Sequence, residues 1–365
     1  MSDCRVAWGN LFFFYAYDVG FDISLTEARG MSEAAESPGL TGLRPGPPHL
    51  QYQPKPLTVP CGVVEIRHEG ARFRMEAAVK IFDFGALSVT LCLPVRDLQW
   101  GEYAATALKL AGAGAMEEAA RGIASGLFAK IVPAVKRAGF ADLVEEYNLW
   151  HVGSFAPELS AGQAMDLLKQ DIARLLTLER GTFSEAALAE ILRNPIRYFE
   201  NDFCLPDWDA AFVCDPKYRD TVEVLEFLNV QMLELRFFDR ILHSALDDMA
   251  EELRKKRGIL SVLHDPFESP LRTLSEIKMD VSLLRERINN ALKFAGDVYL
   301  ARVYEEARRK AGAERWEVTI RDQLKALEDI YTILNNRAAA SRAETLEVII
   351  ILLIALEIVM GLLRH

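Results

Sequence analysis

Residues 346–363 read LEVIIILLIALEIVMGLL, followed by Arg364 and His365, and this stretch decides whether the fold is a free α/β body or one tied to a membrane helix. About 18 near-continuous apolar residues at ~1.5 Å each reach ~27 Å, close to the ~30 Å of a hydrocarbon core. Two acids, Glu347 and Glu357, stand inside the run. An ionisable group near the bilayer centre costs roughly 2.5–3.5 kcal/mol, but about 13 Leu, Ile and Val residues at roughly −0.3 to −0.6 kcal/mol each outweigh it. Glu347 lies near one end, where its carboxyl reaches the interface. The expectation is a transmembrane tail anchor over 344–365, with a buried core helix as the competing reading.

Upstream of this run the apolar spacing changes. Ile277, Val281, Leu284, Ile288, Ala291, Ala295 and Val298 alternate steps of four and three, the period of a coiled-coil seam. Ile320, Leu324, Leu327, Tyr331, Leu334 and Ala338 continue it after a break at Ala311, Gly312 and Ala313. The pattern predicts an antiparallel helical hairpin over 266–343, a coiled-coil stalk whose second arm runs into the membrane helix. Earlier still, Val224, Leu228, Met232, Leu235, Phe238, Leu242, Leu246 and Met249 mark a long helix over 220–256 with one core face. Its basic end, Arg254 to Arg257 before Gly258, is what the helix dipole and a left-handed cap favour.

The first half of the chain reads as strands and helices in turn. The aromatic run 11–17 (LFFFYAY) favours a strand, followed by a turn and a short helix. Residues 37–60 hold too many prolines and glycines for helix or central strand, and are expected to be an extended loop. Segments 61–68, 71–84 and 86–94 form a β meander, the Ala- and Gly-rich 102–135 forms packed helices, and 142–152 and 207–215 form further strands. Ser160 and Ser184 are expected to cap helices. The fold class is α+β: a mixed α/β body in two regions, 1–155 and 156–265, then the hairpin and the single span.

Composition narrows the function. A formal charge of −11 on 365 residues argues against direct DNA binding, which needs a basic face. The five cysteines never occur as Cys-x-x-Cys, so neither a disulfide framework nor a zinc knuckle is signalled and a reducing cytoplasm is expected. The six histidines are scattered without ligand spacing. Gly112, Gly114, Gly122 and Gly126 do not form a phosphate-binding pattern. Glu145 with Glu146, Asp207 with Asp209, and Asp247 with Asp248 are carboxylate pairs that solvated faces explain more readily than acid–base chemistry. No catalytic, cofactor-binding or metal-ligating residue is nominated. The residue singled out is Glu357: an acid in apolar surroundings is costly unless it hydrogen-bonds across helices. Gly361, one turn on and on the same face, allows close approach of a second span.

The terminal run is similar, from Leu346 and Glu347 through Val348 to Ala355, Glu357 and Ile358, to the end of the required-for-meiotic-nuclear-division family. Phe82, Asp83, Phe84, Gly85 and Ala86 resemble that family's aromatic–acid–aromatic–glycine strand. The resemblance implies an N-terminal α/β region, a helical hairpin and one terminal span. It also implies, from eukaryotic members, inner-membrane oligomers that support mitochondrial translation by tethering, and it carries over no catalytic residues. Without a transit peptide at the start, the expected location is a bacterial inner membrane with the body in the cytoplasm. The expected function is a non-enzymatic, tail-anchored scaffold that self-associates through Glu347, Glu357 and Gly361 in the bilayer and holds an unknown cytoplasmic protein. The alternatives are a channel component similar in plan to magnesium channels with an α/β domain, and a membrane-held enzyme.

Overall fold

A computed structural model describes residues 4–32, 35–36, 50–52, 54–254, 272, 275–279, 281–282, 286, 292–294 and 298–363. It divides into two compact units, one of residues 1–237 and 286–314, the other of 238–285 and 315–365.

The first unit is built on a sheet. Its strands are β1 (Arg5–Asp18), β3 (Ala35–Glu36), β5 (Leu57–His68), β6 (Ala71–Ile81), β7 (Ala86–Gln99), β9 (Val144–Ala156), β10 (Phe203–Pro206) and β11 (Ala210–Cys214). They lie in the order β10-β11-β9-β1-β7-β6-β5-β3. Every pairing is antiparallel except that of β11 with β9. Two further strands, β2 (Asp22–Ile23) and β8 (Val135–Lys136), pair with each other, as do β4 (Leu50–Tyr52) and β12 (Leu292–Phe294). The expected meander is present as the hairpins β5–β6 and β6–β7. A cut between residues 155 and 156 falls just before the last residue of β9 and separates most of that strand from β10 and β11, which join the same sheet.

The β6–β7 turn shows why Gly85 stands where it does. Its φ of 101° lies in the left-handed region, and a Cβ there would sit 1.8 Å from the carbonyl oxygen of Gly20. The close approach lets the Gly85 carbonyl accept the Val19 N–H at 2.9 Å and the Asp83 carbonyl accept the Ile23 N–H at 2.8 Å, pinning the turn to the end of β1.

Register gives the sheet two different faces, because residues opposite one another share a side. Leu11, Phe13, Tyr15 and Tyr17 of β1 lie with Leu87, Val89 and Leu91 of β7 and Trp150 of β9. This face is the main core, covered by helices α2 (Trp100–Leu110), α3 (Gly114–Ile131) and α4 (Ala161–Thr177). The short helices α1 (Leu25–Met31) and α5 (Glu185–Ile191) lie at its margins, capped by Ser24 and Ser184. Ser160 caps α4 in a full capping box with Gln163. At the other end of α4 the Leu175 carbonyl, left without a helical partner, accepts the buried indole N–H of Trp150 at 2.7 Å.

The opposite face is covered by α6 (Arg219–Arg254), and α6 in turn by α7 (Val298–Lys310). From Thr221 to Leu235 every residue of α6 but Glu223 is buried. The apolar spacing predicted one core face. Instead this half of the helix is enclosed on both sides, by the sheet and by α7, whose Tyr304 donates a hydrogen bond to Gln231 at 2.6 Å and packs its ring near Phe227. Leu300, Val303 and Ala307 supply the buried stripe of α7. Gly312, at φ 67°, ends α7.

The second unit contains the rest of α6 and most of α8 (Ala313–Leu363). Leu242, Ala245, Met249, Val281, Ile320 and Leu327 are buried within it. Gln323 donates to Asp239 at 2.8 Å, and Lys278 pairs with Glu328 at 2.5 Å. Of the expected stalk seam, Ile320 and Leu327 are therefore on the buried side, while Tyr331 and Val298 are exposed. The first arm does not run as one helix to Val298, because residues 292–294 form β12 and satisfy their backbone groups on β4. Leu284, Ile288, Ala291, Ala295, and the side chains of Leu334 and Ala338, lie outside the described residues, as does the basic segment 255–258. Among the described residues, no helix is long and apolar enough to cross a membrane.

Candidate functional site

The chemistry-bearing side chains gather on the α6 face of the sheet. Strand alternation puts them there: Ser88, Thr90 and Cys92 lie between the core residues of β7, and Asn10 between those of β1. Lys80, opposite Ser88 on β6, is buried. Its ammonium donates to Glu223 and Glu226 of α6, both at 2.6 Å. The other oxygen of Glu226 accepts the hydroxyls of Ser88 at 2.8 Å and Thr90 at 3.2 Å. Burial works against the charge on Lys80, but the two carboxylates beside it more than compensate, so its pKa is raised. Burial also raises Glu226 against the pull of Lys80, as expected where two carboxylates share one cation.

A second cluster lies where β1, β7 and β9 meet the start of α6. The Asn10 amide donates to Nδ1 of His151 at 3.0 Å, which makes Nδ1 the acceptor and Nε2 the protonated nitrogen, donating to the Asp215 carbonyl at 3.0 Å. Tyr218 stacks on the imidazole with ring centroids 3.9 Å apart, and Trp8 meets its edge at 5.2 Å. Burial lowers His151 to about 3, so the ring is neutral. Cys92, Cys204 and Cys214 are buried and their pKa values are raised by desolvation, which keeps them as thiols. With both imidazole nitrogens occupied and the ring closed to solvent, this cluster seats Tyr218 and the start of α6 on the sheet.

A third group lies at the far end of the sheet. Glu145 of β9 pairs with Arg236 of α6, and Asn229 donates to the Glu145 carbonyl at 3.2 Å. Asp18, the last residue of β1, and Glu234 of α6 are both buried. Neither carboxylate oxygen of Glu234 has a hydrogen-bond partner. Glu146, next to Glu145, points to the opposite face, where it accepts from the Gly112 N–H and Asn148.

The carboxylate pairs seen in the sequence have separate surroundings. Glu145 and Glu146 are separated by the sheet, Asp207 pairs with Lys310 at 3.4 Å, and Asp247 lies 3.7 Å from His243 on an exposed turn. Among the described residues, no three His, Cys, Asp or Glu side chains are placed to hold a metal ion. Glu347 and Glu357 are exposed on α8, and Gly361 lies in the same helix with its surroundings outside the described residues. Sequence reasoning missed Asp18, Lys80, Glu223, Glu226 and Glu234. One signal was available: Glu226, Val230 and Glu234 are four apart, so two acids occupy one stripe of an otherwise apolar helix.

Comparison with known proteins identifies relatives without assigning an activity. The chain is 24% identical over 241 residues, 65% of its length and 71% of the relative's, to Uncharacterized protein MJ0711 of Methanocaldococcus jannaschii. No solved structure matches. The family described as Uncharacterized protein MJ0711, N-terminal domain, matches residues 8–221, from β1 to the first turn of α6. As that match takes in more than half of the 365 residues, the chain belongs to this family.

Proposed function

We propose that the chain is a membrane-held scaffold, in which the distal part of α8 enters a bilayer and the sheet-based unit holds a protein partner in the cytoplasm. The observation that carries this reading is the exposure of α8. Ile349, Ile350, Ile351, Leu352, Leu353 and Ile354 are each between 44 and 64% exposed, and Leu356, Ile358, Val359 and Met360 are likewise exposed. Consecutive residues turn by about 100°, so six in a row face every side of the helix. A docking groove covers one stripe, whereas lipid covers all of it. The described aliphatic side chains of 349–360 rise only ~18 Å, and the reading extends them through Val348 and residues 361–363. The resemblance of 346–358 to the required-for-meiotic-nuclear-division family supports the same reading.

Within such a span Glu357 needs a hydrogen-bonding partner, and the same segment of a second copy supplies one. The test uses the full chain in its host cell. Alkaline extraction should leave the protein in the membrane pellet, and Ile350→Asp with Leu353→Asp should release it. Recovery of the unaltered chain in the soluble fraction would refute the anchor. Glu357→Leu should shift the detergent-solubilised complex to smaller species, and an unchanged mass would refute self-association through this acid.

A further inference from the structure

We propose that Tyr198, Phe199 and Tyr299 form a docking surface for an acidic segment of a partner protein, one that carries apolar side chains between its acids. Tyr198 and Phe199 are 65% and 61% exposed, and Val298, next to Tyr299 at the start of α7, is 72% exposed. The rings are in contact: Tyr198 meets Phe199 edge-on with centroids 4.7 Å apart, and Tyr299 at 5.7 Å. The turn that presents them is fixed. Asp202, 4% exposed, accepts the backbone N–H of Tyr198 at 2.8 Å and that of Phe199 at 3.0 Å. On either side, Ile196 and Cys204 exchange both of their backbone hydrogen bonds at 2.9 Å and tie the turn to β10. A buried carboxylate thus holds two large aromatic side chains out in water, where they add nothing to the core. Rings already fixed in place lose little freedom when a partner covers them.

Charge selects the partner. The chain carries −11 overall, yet cations stand around these rings. Lys217 Nζ lies 6.0 Å from the centre of the Phe199 ring, Arg197 precedes Tyr198, and Arg302 follows Tyr299 by one turn of α7; all three are exposed. Glu200 is the acid of the same turn. Aromatic rings rimmed by cations complement a peptide whose apolar side chains are flanked by carboxylates. Successive nucleic-acid bases need ring faces to stack on, whereas Tyr198 stands at 83° to Phe199 and 66° to Tyr299. Anionic lipid is recognised by clusters of about four to eight Lys and Arg, more than this rim holds. The inference rests on that part of the scaffold reading in which the sheet-based unit holds a protein, and it is independent of where α8 lies.

The probe is a fluorescein-labelled peptide, Asp-Glu-Leu-Phe-Glu-Asp, titrated with the full chain in mild detergent and read by fluorescence anisotropy. Lys-Arg-Leu-Phe-Arg-Lys reverses its charge, and Asp-Glu-Ser-Ser-Glu-Asp removes its apolar pair. The first peptide should bind with a Kd below about 1 mM, and each control at least about tenfold more weakly. Tyr198→Ser with Phe199→Ser, and separately Lys217→Glu, should each weaken the first peptide about tenfold or more while leaving the thermal midpoint unchanged, since these side chains are exposed. No binding, equal binding of the reversed peptide, or binding that the variants leave intact would overturn the proposal. So would a uridine oligonucleotide or soluble dihexanoyl phosphatidylglycerol that binds more tightly than the peptide and is lost in the same variants, since the surface would then serve nucleic acid or lipid. Purification of the natural chain from its host tests the scaffold reading separately. A protein that co-purifies equally with the Tyr198→Ser, Phe199→Ser variant keeps that reading and overturns this surface. If no protein co-purifies with the natural chain, that reading fails, while selective binding of the acidic peptide still supports the surface.

Discussion

Replacing Lys80 by Met tests whether the charged network on the α6 face holds the helix in place. The side chains of Lys80 and Glu226 are 3% and 1% exposed, so the substitution strands a buried carboxylate. Glu226 keeps the hydroxyls of Ser88 and Thr90, and Glu223, 17% exposed, turns to solvent. Removing one partner of a buried ion pair costs about 3–5 kcal/mol, against total stabilities of about 5–15 kcal/mol for folded domains. Urea unfolding in mild detergent, followed by tryptophan fluorescence, should show a loss of this size at neutral pH. The loss should shrink in acid, where Glu226 takes up a proton. Lys80→Met combined with Glu226→Leu should recover much of it, since apolar groups replacing both partners leave no buried charge. A single-variant loss below about 1 kcal/mol, or a double variant no more stable than the single one, would refute the reasoning.

Three other outcomes are expected. His151 titrates near 3 in the fold against 6.5 in the unfolded chain, so the unfolded state binds the extra proton between these values. Its contribution is present above 6.5 and is lost as pH falls toward 3, at an order of magnitude of about 4–5 kcal/mol, and His151→Gln should flatten the acid limb of a pH–stability curve. Gly85→Ala should cost more than about 2 kcal/mol in urea unfolding, because the left-handed φ and the Gly20 carbonyl both oppose a Cβ. Trp150→Phe should cost about 1–3 kcal/mol beyond the lost ring volume, from the unsatisfied Leu175 carbonyl, and Leu175 and its neighbours should lose amide-exchange protection.

Local signals in the sequence were reliable where the physics is local. Ser160 and Ser184 cap their helices, the turns after His68 and Ile81 close hairpins, and the aromatic run 11–17 is the centre of β1. What the sequence did not reveal depends on strand order. Nothing near Phe203 or Ala210 announces that β11 joins β9 in parallel and extends the first strands into one sheet. The seven-residue spacing from 277 to 298 resembles a helix seam, yet 292–294 pairs with 50–52, a partner more than two hundred residues away. The candidate site was hidden for the same reason. Lys80 and Glu226 are 146 residues apart, and an alternating strand lysine looks solvent-facing until a helix lies across it.

The two sheet faces also say where the folding unit ends. The family match stops at residue 221, just before Glu223, Glu226 and Glu234. Its strands alone carry Lys80, Ser88, Thr90, Phe12 and Phe14 on the face that α6 covers, all of them buried in the full chain. A fragment ending at residue 221 would expose both an unpaired lysine and aromatic rings, a mixture that neither water nor an apolar partner satisfies. The unit that closes this face needs α6 through Glu234. It also needs α7, whose Tyr304 bonds to Gln231 on the second side of the buried half of α6 and whose Leu300 and Val303 are buried. The sheet and α2–α4 supply most of the apolar burial. Charges placed in register on the other face give α6 one seat rather than several, since sliding the helix by a turn would leave Lys80 and Glu226 buried without a partner and would break the pair of Arg236 with Glu145.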